Sequence, residues 1–139
     1  MKHLLLLALQ VAPLALANGQ QSLDAICDTA HSLALRQSAR DAFDKHQYQV
    51  AALHFSEALQ ECPAQRDILI ELSEAQAHLR QFDLAIRSIR EFLEQQPAST
   101  PGRLALANVY LMAQRLPDAK QEAEGILNKE PDNLAAMKI

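Results

Sequence analysis

Cys27, His31 and Cys62 are the side chains whose types could make a bond or hold a metal. Cys27 and His31 stand one helical turn apart, but a tetrahedral zinc site needs a fourth ligand and the spacing offers none, so no metal is expected. No C-x-x-C pair is present, which removes the usual signature of a redox-active dithiol. Two readings stand for the thiols: one structural bridge between Cys27 and Cys62, or two buried free thiols. If the chain doubles back near His46 and Gln47, residue 62 comes opposite roughly residue 31. Cys27 then lies one turn further along, about 6 Å at helical rise.

Other reactive types are present without an arrangement. His46, His54 and His78 have no Ser or Cys spaced for nucleophilic catalysis, and no glycine-rich phosphate loop accompanies them. Glu71 with Glu74, or Glu122 with Glu124, could be paired carboxylates for acid–base work, but Glu is also a favoured residue of solvated helices. The chain is read as noncatalytic, with no catalytic residue and no cofactor implied.

The elements that carry these side chains are helical by composition. Of 139 residues 49% are hydrophobic but only 4% aromatic, with no Trp and three Gly, so Ala and Leu must do the packing. At the N-terminus Lys2 and His3 precede an apolar run from Leu4 to Ala17 that closes on Ala15, Leu16 and Ala17. This reads as a cleavable signal peptide over residues 1–17, because a spanning helix needs about 20 predominantly apolar residues. A secreted or periplasmic location follows, or a secretory lumen, and no membrane insertion is expected after cleavage. Loss of Lys2 takes the formal charge from −4 to −5. The arginines alternate with acids rather than forming a block, so no nucleic acid is expected as partner.

Pro63, Pro97 and Pro131 are spaced 34 residues apart. The same step relates Ala51, Ala85 and Ala119, then Leu59, Leu93 and Leu127, and the large apolar set Tyr48, Phe82 and Leu116. A fixed period of this length marks a stack of repeated units. Within a unit, apolar residues recur at three and four, as in Leu69, Leu72 and Ala75, then Ile86, Ile89 and Leu93, which predicts two amphipathic helices per unit. Ser99 or Thr100 can cap a helix with Pro101 in its first turn, and Asp132 or Asn133 can cap the next. The units run 32–65, 66–99 and 100–133, with residues 134–139 opening a truncated fourth. Residues 18–31 form an N-terminal extension or capping helix.

A helix-turn-helix of 34 residues with small residues at fixed sites and a closing proline resembles the tetratricopeptide family over residues 32–139. The small residue of the first helix corresponds to Ala39, Ser73 and Ala107. That of the second corresponds to Ala51, Ala85 and Ala119, and the closing proline to Pro63, Pro97 and Pro131. Phe55 and Ala58 complete the pattern in the first unit. The sequence departs from it where Leu35, Leu69 and Arg103 replace an aromatic, and where Phe92 and Ile126 replace the alanine kept as Ala58. The resemblance implies an all-α fold, a right-handed solenoid of antiparallel helix pairs. Small residues let helices approach, so Ala85→Leu is expected to overpack the crossing and cost about 1 to 3 kcal/mol; an unchanged unfolding midpoint would contradict that placement.

In that family the first helices line a concave groove that receives a peptide or a partner helix. By register the lining here would be Arg36, Arg40 and Phe43, then Ile70, Glu71 and Glu74, then Leu104, Asn108, Leu111 and Met112. Read as a surface, it suits a partner with an acidic end, a basic middle and an apolar end. Some family members clamp a chaperone's C-terminal carboxylate; the equivalent positions are Arg36, Arg40, Glu71, Pro101 and Ala105, and that clamp is mostly absent. The functional expectation is an exported interaction scaffold for another protein or peptide. The alternative is the leading module of a longer exported enzyme or secretion component. Uncapped solenoid ends also allow self-association.

Overall fold

The computed structural model describes residues 30–139. Six α-helices follow one another in this span: α1 Ala30–Asp44, α2 Tyr48–Glu61, α3 Ile68–His78, α4 Phe82–Gln95, α5 Thr100–Met112 and α6 Leu116–Leu127, before a 3-10 turn at Ala136–Lys138. They pack as three antiparallel pairs, α1 with α2, α3 with α4 and α5 with α6. The pairs stack through α2 against α3, α4 against α5, and α3 against α5.

The small-residue columns lie where helices cross. Ala39 and Ala107 in the first helices, and Ala51, Ala85 and Ala119 in the second, are all fully buried. Ser73 is also fully buried, and its hydroxyl donates to the Ile70 carbonyl at 2.7 Å, which removes the cost of an unpaired polar group. Around these contacts Phe55, Ile68, Leu69 and Ile89 fill the core. The prolines Pro63, Pro97 and Pro131 stand exposed in the connections, just beyond each second helix.

Each first helix ends in the same way. His46, Arg80 and Gln114, again 34 apart, adopt left-handed φ of 59°, 60° and 60°. The amide after each bonds back five residues, Gln47 to Ala42, Gln81 to Gln76 and Arg115 to Tyr110, at 2.8–2.9 Å. The left-handed residue itself bonds back three, to the carbonyls of Phe43, Ala77 and Leu111. This is the Schellman arrangement, which normally recruits glycine because a Cβ is unfavourable there. The reversal places the second helix of every unit antiparallel to the first within three residues.

Helix starts differ between units. Ser99 caps α5, its hydroxyl accepting from the Gly102 amide at 3.2 Å, with Pro101 in the first turn. One period later Asn133 accepts from the Ala136 amide at 3.0 Å. Asp67 stands at the N-cap of α3 without making a side-chain cap bond, because its carboxylate is drawn to Arg36. Residues 134–139 fold only as far as the 3-10 turn, with Ala136 buried and Ile139 packed against the core.

Gly102 is needed at its position. A Cβ there would lie 2.7 Å from the Phe92 ring and 2.8 Å from Leu93 Cδ2. Phe92 is the residue that breaks the alanine column begun by Ala58, and the absence of a side chain ten residues later makes room for it.

Candidate binding groove

The first helices α1, α3 and α5 jointly wall a cavity of about 400 Å³. Phe43 enters from α1, Glu74, Ala77 and His78 from α3, and Ala105, Asn108, Val109, Leu111 and Met112 from α5. The 34-residue period explains the lining, since Phe43, Ala77 and Leu111 form one column, Glu74 and Asn108 another, His78 and Met112 a third. A smaller cavity of about 90 Å³ adjoins it, bordered by Arg40, Phe43, Asp44, Phe55, Glu71 and Glu74.

Charge is concentrated at the α1 end of this face and largely cancels there. Arg36 donates from Nε to Glu71 Oε2 at 2.7 Å and from Nη2 to Asp67 Oδ2 at 2.6 Å. Arg40 Nε reaches the other Glu71 oxygen at 2.5 Å. Burial acts to lower the Arg36 pKa, but the hydrogen bond to Asp67 and the charge of Glu71 outweigh it, and the guanidinium is held above its ordinary value. Glu71 is therefore shared by two guanidinium groups, the charge-assisted geometry in which arginine is strongest.

Glu74, one turn along α3, has no such partner and makes no ion pair among the described residues. Its side chain is open to solvent but stands in the concavity. Burial between the walls, then the charge of Glu71, raises its pKa above the ordinary carboxylate range.

The rim nearest the α1–α2 turn is aromatic. Tyr48 stacks on the His78 ring, with centroids 4.2 Å apart and planes 7° from parallel. Phe43 meets Tyr48 and His78 edge-on at 5.2 and 5.4 Å. His46 Nδ1 lies 2.8 Å from the Tyr48 hydroxyl. These contacts fix the shape of one wall, because stacked and edge-on rings resist displacement.

A second depression, about 500 Å³, runs along α4 between Asp83, Ile86, Arg87, Arg90, Glu91 and Glu94. All six residues belong to one helix face of alternating charge, so the space is the gap between solvated side chains rather than a cleft between elements. Among the described residues, no group of three His, Cys, Asp or Glu side chains is placed to hold a metal, and no helix is long and apolar enough to cross a membrane.

Of the ten residues read as groove lining, the structure brings Phe43, Glu74, Asn108, Leu111 and Met112 to the larger cavity and Arg40 and Glu71 to the smaller. Arg36 lies in the ion-pair cluster beside them. Ile70 and Leu104 are half-buried and line neither cavity, and Ile70 packs on the core. Sequence reasoning did not place His78, Ala77 and Val109 in the lining, and named Ala105 only as a clamp position. Stepping Met112 and Leu111 back by one period lands on His78 and Ala77, so the repeat itself held that signal. Cys62 is fully buried and carries no free thiol; residues 1–17, read above as a signal peptide, and residues 18–29 with Cys27 lie outside the described residues.

Residues 80–138 match the model of the tetratricopeptide repeat, and no curated protein matches the chain in sequence. The fold is similar to the first tetratricopeptide domain of Spaghetti (RPAP3) bound to HSP90 peptide SRMEEVD, with a TM-score of 0.70 and 20% identity, covering 80% of this chain and 88% of that one. It is similar to the Arabidopsis OM64 domain at a TM-score of 0.69 and 18% identity, over 77% and 88% of the two chains. The second tetratricopeptide domain of human RPAP3, in complex with HSP70 peptide SGPTIEEVD, gives 0.63 and 16%, over 77% and 92%. The helix pairs, their common period and these likenesses make the fold a tetratricopeptide-type helical-hairpin solenoid, with a recognised repeat at residues 80–138.

Proposed function

We propose that this chain is an exported, noncatalytic scaffold that holds a peptide or a partner helix against α1, α3 and α5. The observation that carries the reading is the cavity of about 400 Å³ to which all three first helices contribute. A shared, largely apolar concavity with a few polar groups is the usual form of a binding site. The RPAP3 neighbours, solved with chaperone peptides, support a groove of this kind as a peptide seat.

Those peptides end in the acidic sequence EEVD. Here the corresponding clamp positions are Arg36, Arg40, Glu71, Pro101 and Ala105, and Glu71 with Asp67 already occupies both arginines. An acidic segment would have to displace those carboxylates, so this scaffold is read as serving a different kind of segment. Export rests on the sequence of residues 1–17, with its basic start and apolar run.

Site-specific photo-crosslinking tests the groove. Benzoylphenylalanine at Met112, in the cavity, is expected to yield a discrete crosslinked product in the producing cell, and the same group at Leu84, exposed on α4, is not. Equal labelling from both positions would remove the groove from the proposal. Intact mass of the mature product tests export: a start at Asn18 supports it and retention of Met1 sinks it. The same sample before and after reduction reports whether Cys27 and Cys62 are joined.

A further inference from the structure

Among the described residues Glu74 is the one carboxylate lining the larger cavity, and apart from His78 and Asn108 the rest of that lining is apolar. Arg36 and Arg40, on the neighbouring helix α1, spend their guanidinium groups on Glu71 and Asp67. Arg40 shares the smaller cavity with Glu74 but bonds Glu71. Phe43, Leu111 and Met112 line the same cavity with apolar surface, and the neighbouring Glu71 is of like charge. A carboxylate in such a place gains more from an incoming cation than one in open water, because the walls lower the local dielectric. Met112, in the same cavity, remains 38% exposed and offers an adaptable apolar contact.

We infer that the groove, taken as the binding site proposed above, selects an apolar segment that carries one lysine or arginine to Glu74. The apolar residues of the segment lie against Phe43, Leu111 and Met112, and the basic side chain supplies the counter-charge that Glu74 lacks among the described residues. An acidic segment is disfavoured twice, by Glu74 directly and by Glu71 holding the arginines that might have attracted it.

The test is selection of random dodecapeptides displayed on phage against the full chain, its Glu74→Gln variant and its Met112→Ser variant. Both substituted side chains are exposed, and helical circular dichroism establishes that each variant is folded. On the unsubstituted chain, peptides with a basic residue beside apolar ones are expected to be enriched. Their binding should fall roughly fivefold on Glu74→Gln, the size expected of a partly exposed ion pair, and fall also on Met112→Ser. Peptides that depend on Met112 but are acidic or indifferent to charge would overturn the inference and leave the groove standing. Selected peptides insensitive to Met112, or no selected peptides at all, would overturn the groove and the inference together.

Discussion

At the seam between the first and second units, α1 reaches across to α3 with charge: Arg36 and Arg40 hold Glu71, and Arg36 also holds Asp67. At the seam between the second and third units no ion pair joins α3 to α5 among the described residues, and the same face is an open, mostly apolar cavity. Beneath the surface the seams also differ in how they fill volume. In the corresponding columns the first seam has a small residue, Ala58, and a large one, Ile68, both buried; the second has a large one, Phe92, whose ring a Cβ on Gly102 would meet. A seam closed by its own charges has little left to offer a partner, whereas one closed only by packing keeps its concave face available.

The largest expected effect comes from exchanging the two packing solutions. Phe92→Ala alone should cost about 3 to 5 kcal/mol through the cavity it leaves. Gly102→Ile alone should also destabilise, since even a Cβ there lies 2.7 Å from the Phe92 ring. Together they reproduce the Ala58 and Ile68 pairing of the first seam, and urea unfolding should show the double variant more stable than the sum of the single losses. Strict additivity would mean that Phe92 and Gly102 do not share the space assigned to them.

That exchange also marks where the sequence became hard to read. The fully buried alanines at 39, 51, 85, 107 and 119 were visible because only a small residue fits a close crossing, so type and period repeat together. Phe92 departs from the alanine column, and Gly102 from a column that holds Ile68 and Ala136; only the three-dimensional contact shows that one departure compensates the other. The left-handed turns were hidden for a similar reason, since His46, Arg80 and Gln114 carry none of the glycine signal that such turns normally show. The ion pairs link residues 31 and 35 apart, close to but not at the repeat length, so register alone aimed Arg36 and Arg40 at a partner rather than at the next unit.

Removing the shared acid should sharpen the contrast between the seams. Glu71→Gln is expected to cost about 1 to 2 kcal/mol, less than breaking a fully buried pair, because Arg40 and Asp67 face solvent. Added salt should narrow the difference between the variant and the parent. The substitution also frees Arg40 and one arm of Arg36, so the first seam should begin to attract acidic peptides such as SRMEEVD, measurable by fluorescence anisotropy. No gain in affinity for that peptide would show that ion pairing is not what keeps the first seam closed to it.

The turns offer a smaller comparison, between the unit at each end of the stack. Gln114→Gly removes a Cβ from a left-handed residue and is expected to stabilise by about 0.5 kcal/mol after the loss of chain stiffness in the unfolded state. His46→Gly should gain less, because it also removes the imidazole that meets the Tyr48 hydroxyl at 2.8 Å. Thermal unfolding of the two variants side by side decides it; a larger gain at His46 would mean that the ring contact contributes nothing.

Glu74 supplies the smallest effect and the one most specific to the open seam. Its pKa in the folded chain is raised by burial in the groove and then by Glu71. The folded state therefore binds this proton more tightly than the unfolded state does. Its favourable contribution is present below the unfolded pKa and is lost as pH rises through the folded one. Glu74→Gln removes the titration while keeping the shape, so above the ordinary carboxylate range the variant should be the more stable, by about 0.5 kcal/mol or less given the solvent access. The gap should close as the pH falls and the parent's carboxylate becomes neutral. A basic apolar peptide seated in the groove should reverse the order at neutral pH, because the parent then gains a counter-charge that the glutamine cannot use. If the variant is the less stable at neutral pH without any peptide, Glu74 is already paired within the chain and the open seam is not the acidic one.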